Sequence, residues 1–171
     1  MEYFYTKTGC IYILDTAKTI YIEEGERFKQ TEAKTNITLA FAGILFGAYL
    51  TYLGSAGIHQ EVSGYYMYSL LFNIGIFASV IISIYYFLRS IKSAAYNQVD
   101  LTDIVNMDFA KQDERDVILQ IAATYQEAIN LNRDKIEDKI AFYSKGLRYL
   151  LISFFAFSIH VLIEEAIKYV Q

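Results

Sequence analysis

Two histidines, one cysteine and a few neighbouring carboxylates are the side chains with which this chain could do chemistry, and their spacing argues against catalysis. His59 and His160 fall in different hydrophobic regions, without the HxxE or HxxxH spacing that sets two ligands on one helical face around zinc. Cys10 is alone, so a disulfide framework or a site built on thiol pairs is excluded. The run Asp113-Glu-Arg-Asp116 has the charge to hold a cation, but acidic residues at a helix start complement the helix dipole, and that is the simpler reading. Glu164 and Glu165 read as a polar helix end and not as an acid/base pair. A nucleophile elbow, a phosphate-cradling glycine loop and a dinucleotide fingerprint are all absent from the sequence. The expectation is a protein that is not an enzyme, with no catalytic residue, no metal site and no cofactor.

What must position any working residue is set by composition. Of the 171 residues 54% are hydrophobic and 20% charged, and the apolar residues are bunched into blocks instead of forming a stripe. A soluble helix needs one apolar face, whereas a helix in lipid needs an apolar circumference. The net charge of −4 gives no basic excess for a phosphate backbone, so no direct nucleic-acid partner is expected. Proline is absent, which permits long uninterrupted helices.

No charged residue occurs between Lys34 and Glu61, and its apolar part, 36–53, matches the ~20 residues that cross ~30 Å of hydrocarbon. A second charge-free stretch lies between Glu61 and Arg89, with tyrosines at both ends of 65–88, where headgroups would lie. The short connector 54–64 makes these spans an antiparallel hairpin. It contains His59 and no lysine or arginine, while Arg27, Lys29, Lys34, Arg89 and Lys92 flank the opposite ends. By the positive-inside rule the N-terminus is cytosolic.

Asp100-Leu-Thr-Asp103 reads as a turn or helix start, and a further helix is expected from about Gln112. Ile118, Ile121, Ala122, Tyr125, Ala128, Ile129, Ile136, Ile140 and Tyr143 recur at three- and four-residue steps, giving one apolar stripe that Asn132 interrupts. The helix has no evident stop before Arg148, and the charge-free run 149–163 follows. Though short, it reads as a third span in preference to a membrane-apposed segment. Near the N-terminus, Cys10–Leu14 and Thr19–Ile22 have the β-branched and aromatic content of short strands. The face Leu14, Ala17, Lys18, Tyr21, Gly25, Phe28 and Glu32 favours a helix from about Asp15 instead.

The fold expected is therefore all-α: an N-terminal cytosolic segment 1–34, a transmembrane hairpin 35–90, a cytosolic helical region 91–146 and a third transmembrane helix 147–171. Polar groups inside hydrocarbon seek partners, which marks Asn73 and His160 as pore-lining or interhelix contacts, and Asn132, interrupting the cytosolic stripe, joins them as a polar contact that can fix register between helices. Ala40, Gly43 and Gly47 form a small-residue series that lets a neighbouring helix approach closely and points to a homo-oligomer.

Two runs carry a family resemblance. Arg27-Phe-Lys-Gln-Thr-Glu-Ala-Lys-Thr-Asn-Ile-Thr-Leu-Ala-Phe-Ala-Gly-Ile-Leu45, with Lys34 as its best-matching residue, resembles the entry into the first span of small transmembrane effectors of bacterial anti-phage signalling, the Pycsar and CBASS type. Tyr125-Gln-Glu-Ala-Ile-Asn-Leu-Asn-Arg-Asp-Lys-Ile-Glu-Asp-Lys-Ile140 is similar to the charged helix that feeds their last hydrophobic helix. Thr31-Glu32 stands where that pattern has an alanine-aspartate pair, and the first 25 residues have no counterpart. The resemblance implies an effector in the bacterial inner membrane that oligomerises on a signal, a cyclic nucleotide or a defence-system protein, and permeabilises or depolarises the bilayer. The basic groups Lys111, Arg115 and Arg133 are its candidate sensors. The competing expectation is a membrane-anchored adaptor, including an ancillary component of a CRISPR system, that binds a partner through its cytosolic helices.

Overall fold

The computed structural model describes residues 6–55, 63–93, 95–99 and 111–170, and these fold into three α-helices: α1 Lys7–Ser55, α2 Ser63–Lys92 and α3 Glu114–Val170. No strand occurs among the described residues. His59 and the expected turn at Asp100–Asp103 lie outside them.

α1 starts earlier than the apolar pattern indicated. Thr6 caps it, its Oγ1 accepting the Gly9 amide at 3.2 Å and its carbonyl the Cys10 amide at 3.1 Å. Cys10–Leu14 and Thr19–Ile22 are consequently helical, which corrects both the strand alternative and the start near Asp15. Their β-branched content is overridden because the buried face Cys10, Ala17, Glu24 and Phe28 continues without a break into the first span. At 49 residues α1 is roughly 74 Å long, more than twice what ~30 Å of hydrocarbon requires.

α3 begins at a second cap. The Asp113 carboxylate accepts the Arg115 amide at 2.9 Å, and Glu114 and Asp116 add negative charge to the first turn. The Arg115 side chain also bonds the Asp113 carboxylate and holds it below the usual carboxylate range. Without proline or an internal stop, α3 then runs 57 residues through the expected stripe and the third charge-free run. α2 ends on Arg89 and Lys92, which suit the negative end of its dipole.

All three helices are long and apolar enough to cross a membrane, with mean hydropathy of 1.7, 2.0 and 1.9 over their most apolar windows. Little of those windows is covered by the protein itself: 11%, 28% and 17% is buried. Ile37, Ile44, Leu71 and Leu162 are each more than 60% exposed. So much uncovered apolar surface is unusual for a protein in water.

The chain divides into two compact units. One comprises residues up to Thr31 with Ser93–Asp138, so the expected N-terminal segment and most of the expected 91–146 region form one body. The other comprises Glu32–Lys92 with Lys139–Gln171, joining the hairpin to the rest of α3. In the second unit the buried positions recur every seven residues: Thr35, Ala42 and Tyr49 on α1; Ser69, Ile76, Ser83 and Ser90 on α2; Lys139, Gly146, Ser153 and His160 on α3. A seven-residue seam is the pattern of helices that supercoil left-handedly. Two clusters fill it, one of Ala42, Phe87 and Leu150 and one of Tyr49, Ile76 and Val80.

Candidate functional site

Within the hairpin unit, the seam of three apolar helices carries polar side chains. At one end the Lys139 ammonium, 1% exposed, donates to the carbonyls of Ser90 (3.2 Å) and Ile91 (3.3 Å) and to Glu32 Oε1 (3.0 Å). A lysine thus satisfies carbonyls that the C-terminus of α2 leaves open. In return Ser90 Oγ donates to the Lys139 carbonyl at 2.9 Å, and Thr35 Oγ1 lies 3.5 Å from Ser90 Oγ.

Further along, Ser83 Oγ donates to the Gly146 carbonyl at 2.8 Å and Ser79 Oγ to the Tyr149 carbonyl at 3.0 Å. Gly146 is needed there, because a Cβ at that position would stand 2.8 Å from the Phe87 ring. Next, Tyr49 OH donates to the Asn73 carbonyl at 2.8 Å, and Asn73 Nδ2 donates to Ser69 Oγ at 3.3 Å. At the far end lies His160, wholly buried against Tyr52, Tyr68 and Phe72, with ring centroids 5.4 to 6.1 Å apart. Its Nε2 is 3.4 Å from Glu164 Oε1, and Tyr52 OH donates to the other Glu164 oxygen. Among the described residues neither His160 nitrogen nor Tyr68 OH has a hydrogen-bond partner.

In the other unit, α1 and α3 share a seam of Cys10, Ala17 and Phe28 with Ala122, Ile129 and Ile136. Residues 95–99 dock on it. Asn132, fully buried, uses both ends of its amide on Asn97, accepting from the backbone N–H at 2.7 Å and donating to the carbonyl at 2.9 Å. Tyr96 OH donates to the Tyr21 carbonyl, and its ring packs over Gly25 and beside Phe28. Burial, with Tyr21 and Glu24 nearby, pushes the Tyr96 phenol above its ordinary value, so it stays a neutral donor. Glu24 is buried between Arg27 (3.6 Å) and Arg133 (3.7 Å). A groove of about 450 Å³ is lined by Tyr12, Ile13, Ile20, Leu119 and Ala123 among others.

The sequence-predicted residues therefore fall into three places. Asn73 and His160 face the interior of their own unit, and Asn132 holds the segment before α3. Ala40, Gly43 and Gly47 lie together on an exposed face of α1, where a Cβ at either glycine would meet nothing within 4 Å. Lys34 is exposed on a different side of α1. Of the candidate sensors, Arg115 bonds Asp113, Arg133 flanks Glu24 and Lys111 is exposed. Lys139, Ser83, Ser90, Thr35 and Tyr49 were missed, and the seven-residue recurrence of small and polar residues inside apolar runs was the signal for them. Among the described residues no three histidine, cysteine or acidic side chains converge as a metal site would require. The buried groups can exchange hydrogen bonds with one another, or with water when it reaches them.

No family model, curated protein or solved structure matches the chain.

Proposed function

We propose that this chain is a three-span protein of the bacterial inner membrane, with its N-terminus cytosolic, that permeabilises or depolarises the bilayer when its helices rearrange. The observation that carries the proposal is a file of polar side chains inside the hairpin unit, running beside its two apolar clusters from Lys139 through Ser83 and Asn73 to His160, while the outside is apolar. Each of these groups is partnered or enclosed by the packed helices. Separation of the helices would leave them in hydrocarbon at high cost unless water entered with them, so a loosened or oligomerised bundle is wetted along its length. The exposed face of Ala40, Gly43 and Gly47 supplies a surface on which copies assemble.

The likeness of 27–45 and 125–140 to Pycsar and CBASS transmembrane effectors supports an antiviral trigger, a cyclic nucleotide or a defence protein acting on the first unit. A ligand with unequal affinity for two packings is sufficient to drive such a change. The test is expression in a bacterium loaded with a membrane-potential dye. Depolarisation that Asn73→Leu reduces supports the proposal, and an intact potential at full expression contradicts it. A second reading, a membrane-anchored adaptor, is favoured by the apolar groove at Tyr12 and Leu119, which fits a partner helix. Partner capture that Leu119→Glu abolishes, with the potential intact, would select it.

A further inference from the structure

On the outer face of α2 and α3, two cations converge on one aromatic ring, and no carboxylate among the described residues pairs with them. The Arg89 guanidinium sits 4.5 Å from the Phe142 centroid, and Lys145 Nζ lies 5.9 Å from the same ring and 5.9 Å from that of Tyr86. Tyr85 OH accepts from Arg89 at 3.4 Å, and Tyr86 stacks on Tyr149. Neither cation forms an ion pair among the described residues. The sequence explains why: α2 has no acidic residue, and α3 has none between Asp138 and Glu164. Two like charges drawn over one ring repel, and the aromatic floor offsets only part of that.

The same face continues away from this pair as an apolar groove of about 450 Å³, lined by Phe72, Gly75 and Ser79 of α2 and Ile152 and Ala156 of α3. The register is seven residues: Phe72 and Ser79 lead to Tyr86, Gly75 leads through Ile82 to Arg89, Ile152 to Lys145, and Ala156 through Tyr149 to Phe142.

We infer that this face binds an anionic phospholipid, its phosphate held between Arg89 and Lys145 and an acyl chain laid in the groove over Gly75. Charge complementarity specifies the headgroup, since arginine and lysine over an aromatic floor suit a phosphate diester. The groove selects a lipid over free phosphate, because only a lipid has a chain to place there. The site lies at the end of α2 where the positive-inside rule puts the cytosolic leaflet, whose anionic lipids attract basic residues close to a span. The inference rests on the membrane-spanning reading.

The test uses the full chain in neutral detergent and follows its thermal unfolding as phosphatidylglycerol, phosphatidylcholine or inorganic phosphate is added. Wild type gains stability with phosphatidylglycerol and not with the other two. Arg89→Gln and Lys145→Gln each weaken that binding about fivefold, Gly75→Phe weakens it by filling the groove, and Lys34→Gln, a basic residue outside this face, leaves it unchanged. An equal gain with phosphatidylcholine or phosphate, or an undiminished gain in Arg89→Gln and Lys145→Gln, overturns the site while leaving the membrane reading intact. Release of wild type from vesicles by alkaline carbonate overturns both.

Discussion

A lysine enclosed by apolar helices must be surrounded by acceptors, and Lys139 has Glu32 and two carbonyls at the end of α2. Lys139→Met keeps most of the side-chain volume and removes all three bonds, leaving buried carbonyls open. We expect a loss of roughly 2–4 kcal/mol in denaturant unfolding in detergent, and a much smaller one for Lys135→Met, which bonds at a more exposed position. Glycines separate by the same reasoning. Gly146→Ala drives a methyl group into the Phe87 ring and should cost about 1–3 kcal/mol. Gly43→Ala and Gly47→Ala meet open space and should leave unfolding of the monomer unchanged or slightly stabilised. A destabilised Gly43→Ala monomer would mean that this face is packed within one chain.

Among the elements, the start of α3 and the segment before it are held by single side chains. Because Arg115 lowers the Asp113 titration, the cap contributes fully above the ordinary carboxylate value and is lost as the pH falls through the lowered one. Protection of the Arg115 to Val117 amides, taken relative to their intrinsic exchange rates, should therefore fall in acid, and in Asp113→Ala it should be low at every pH. Asn132→Leu strands both backbone groups of Asn97; a loss of roughly 1–3 kcal/mol, with faster exchange at Asn97, is expected. The spans on α1 and α2 were legible because no charge interrupts 35–60 or 62–88. The stripe from Ile118 to Tyr143 was legible too, and each of its residues is buried or half-buried. What escaped the apolar periodicity was the polar seam within the second unit. There the inward positions include Ser83, Ser90, Ser153 and Lys139 beside Phe87, Leu150 and Val80, while leucine and isoleucine also point outward, so apolar character does not mark the protein's interior. The early start of α1 was hidden for another reason, since the buried face from Cys10 to Phe28, begun at the Thr6 cap, outweighed the strand preference of Ile11 and Ile13.

For the molecule as a whole, the exposed Ala40, Gly43 and Gly47 face predicts self-association. Substituting leucine at both glycines should shift crosslinked or detergent-solubilised protein from oligomer to monomer without lowering the monomer's stability. An unchanged oligomer would remove α1 from the interface. Underneath the assembly, the depolarisation and the lipid site lies one physical condition, that hydrocarbon surrounds the apolar faces of all three helices. It is tested most directly by spin labels placed singly at Ile44, Leu71 and Phe155 in a Cys10→Ser background, in reconstituted vesicles, reading collision rates with oxygen and with a water-soluble nickel chelate. Oxygen, which partitions into acyl chains, should dominate at all three positions, while a label at Tyr12 should see the chelate. Chelate-dominated collisions at Ile44, Leu71 and Phe155 would place these helices in water and contradict the account.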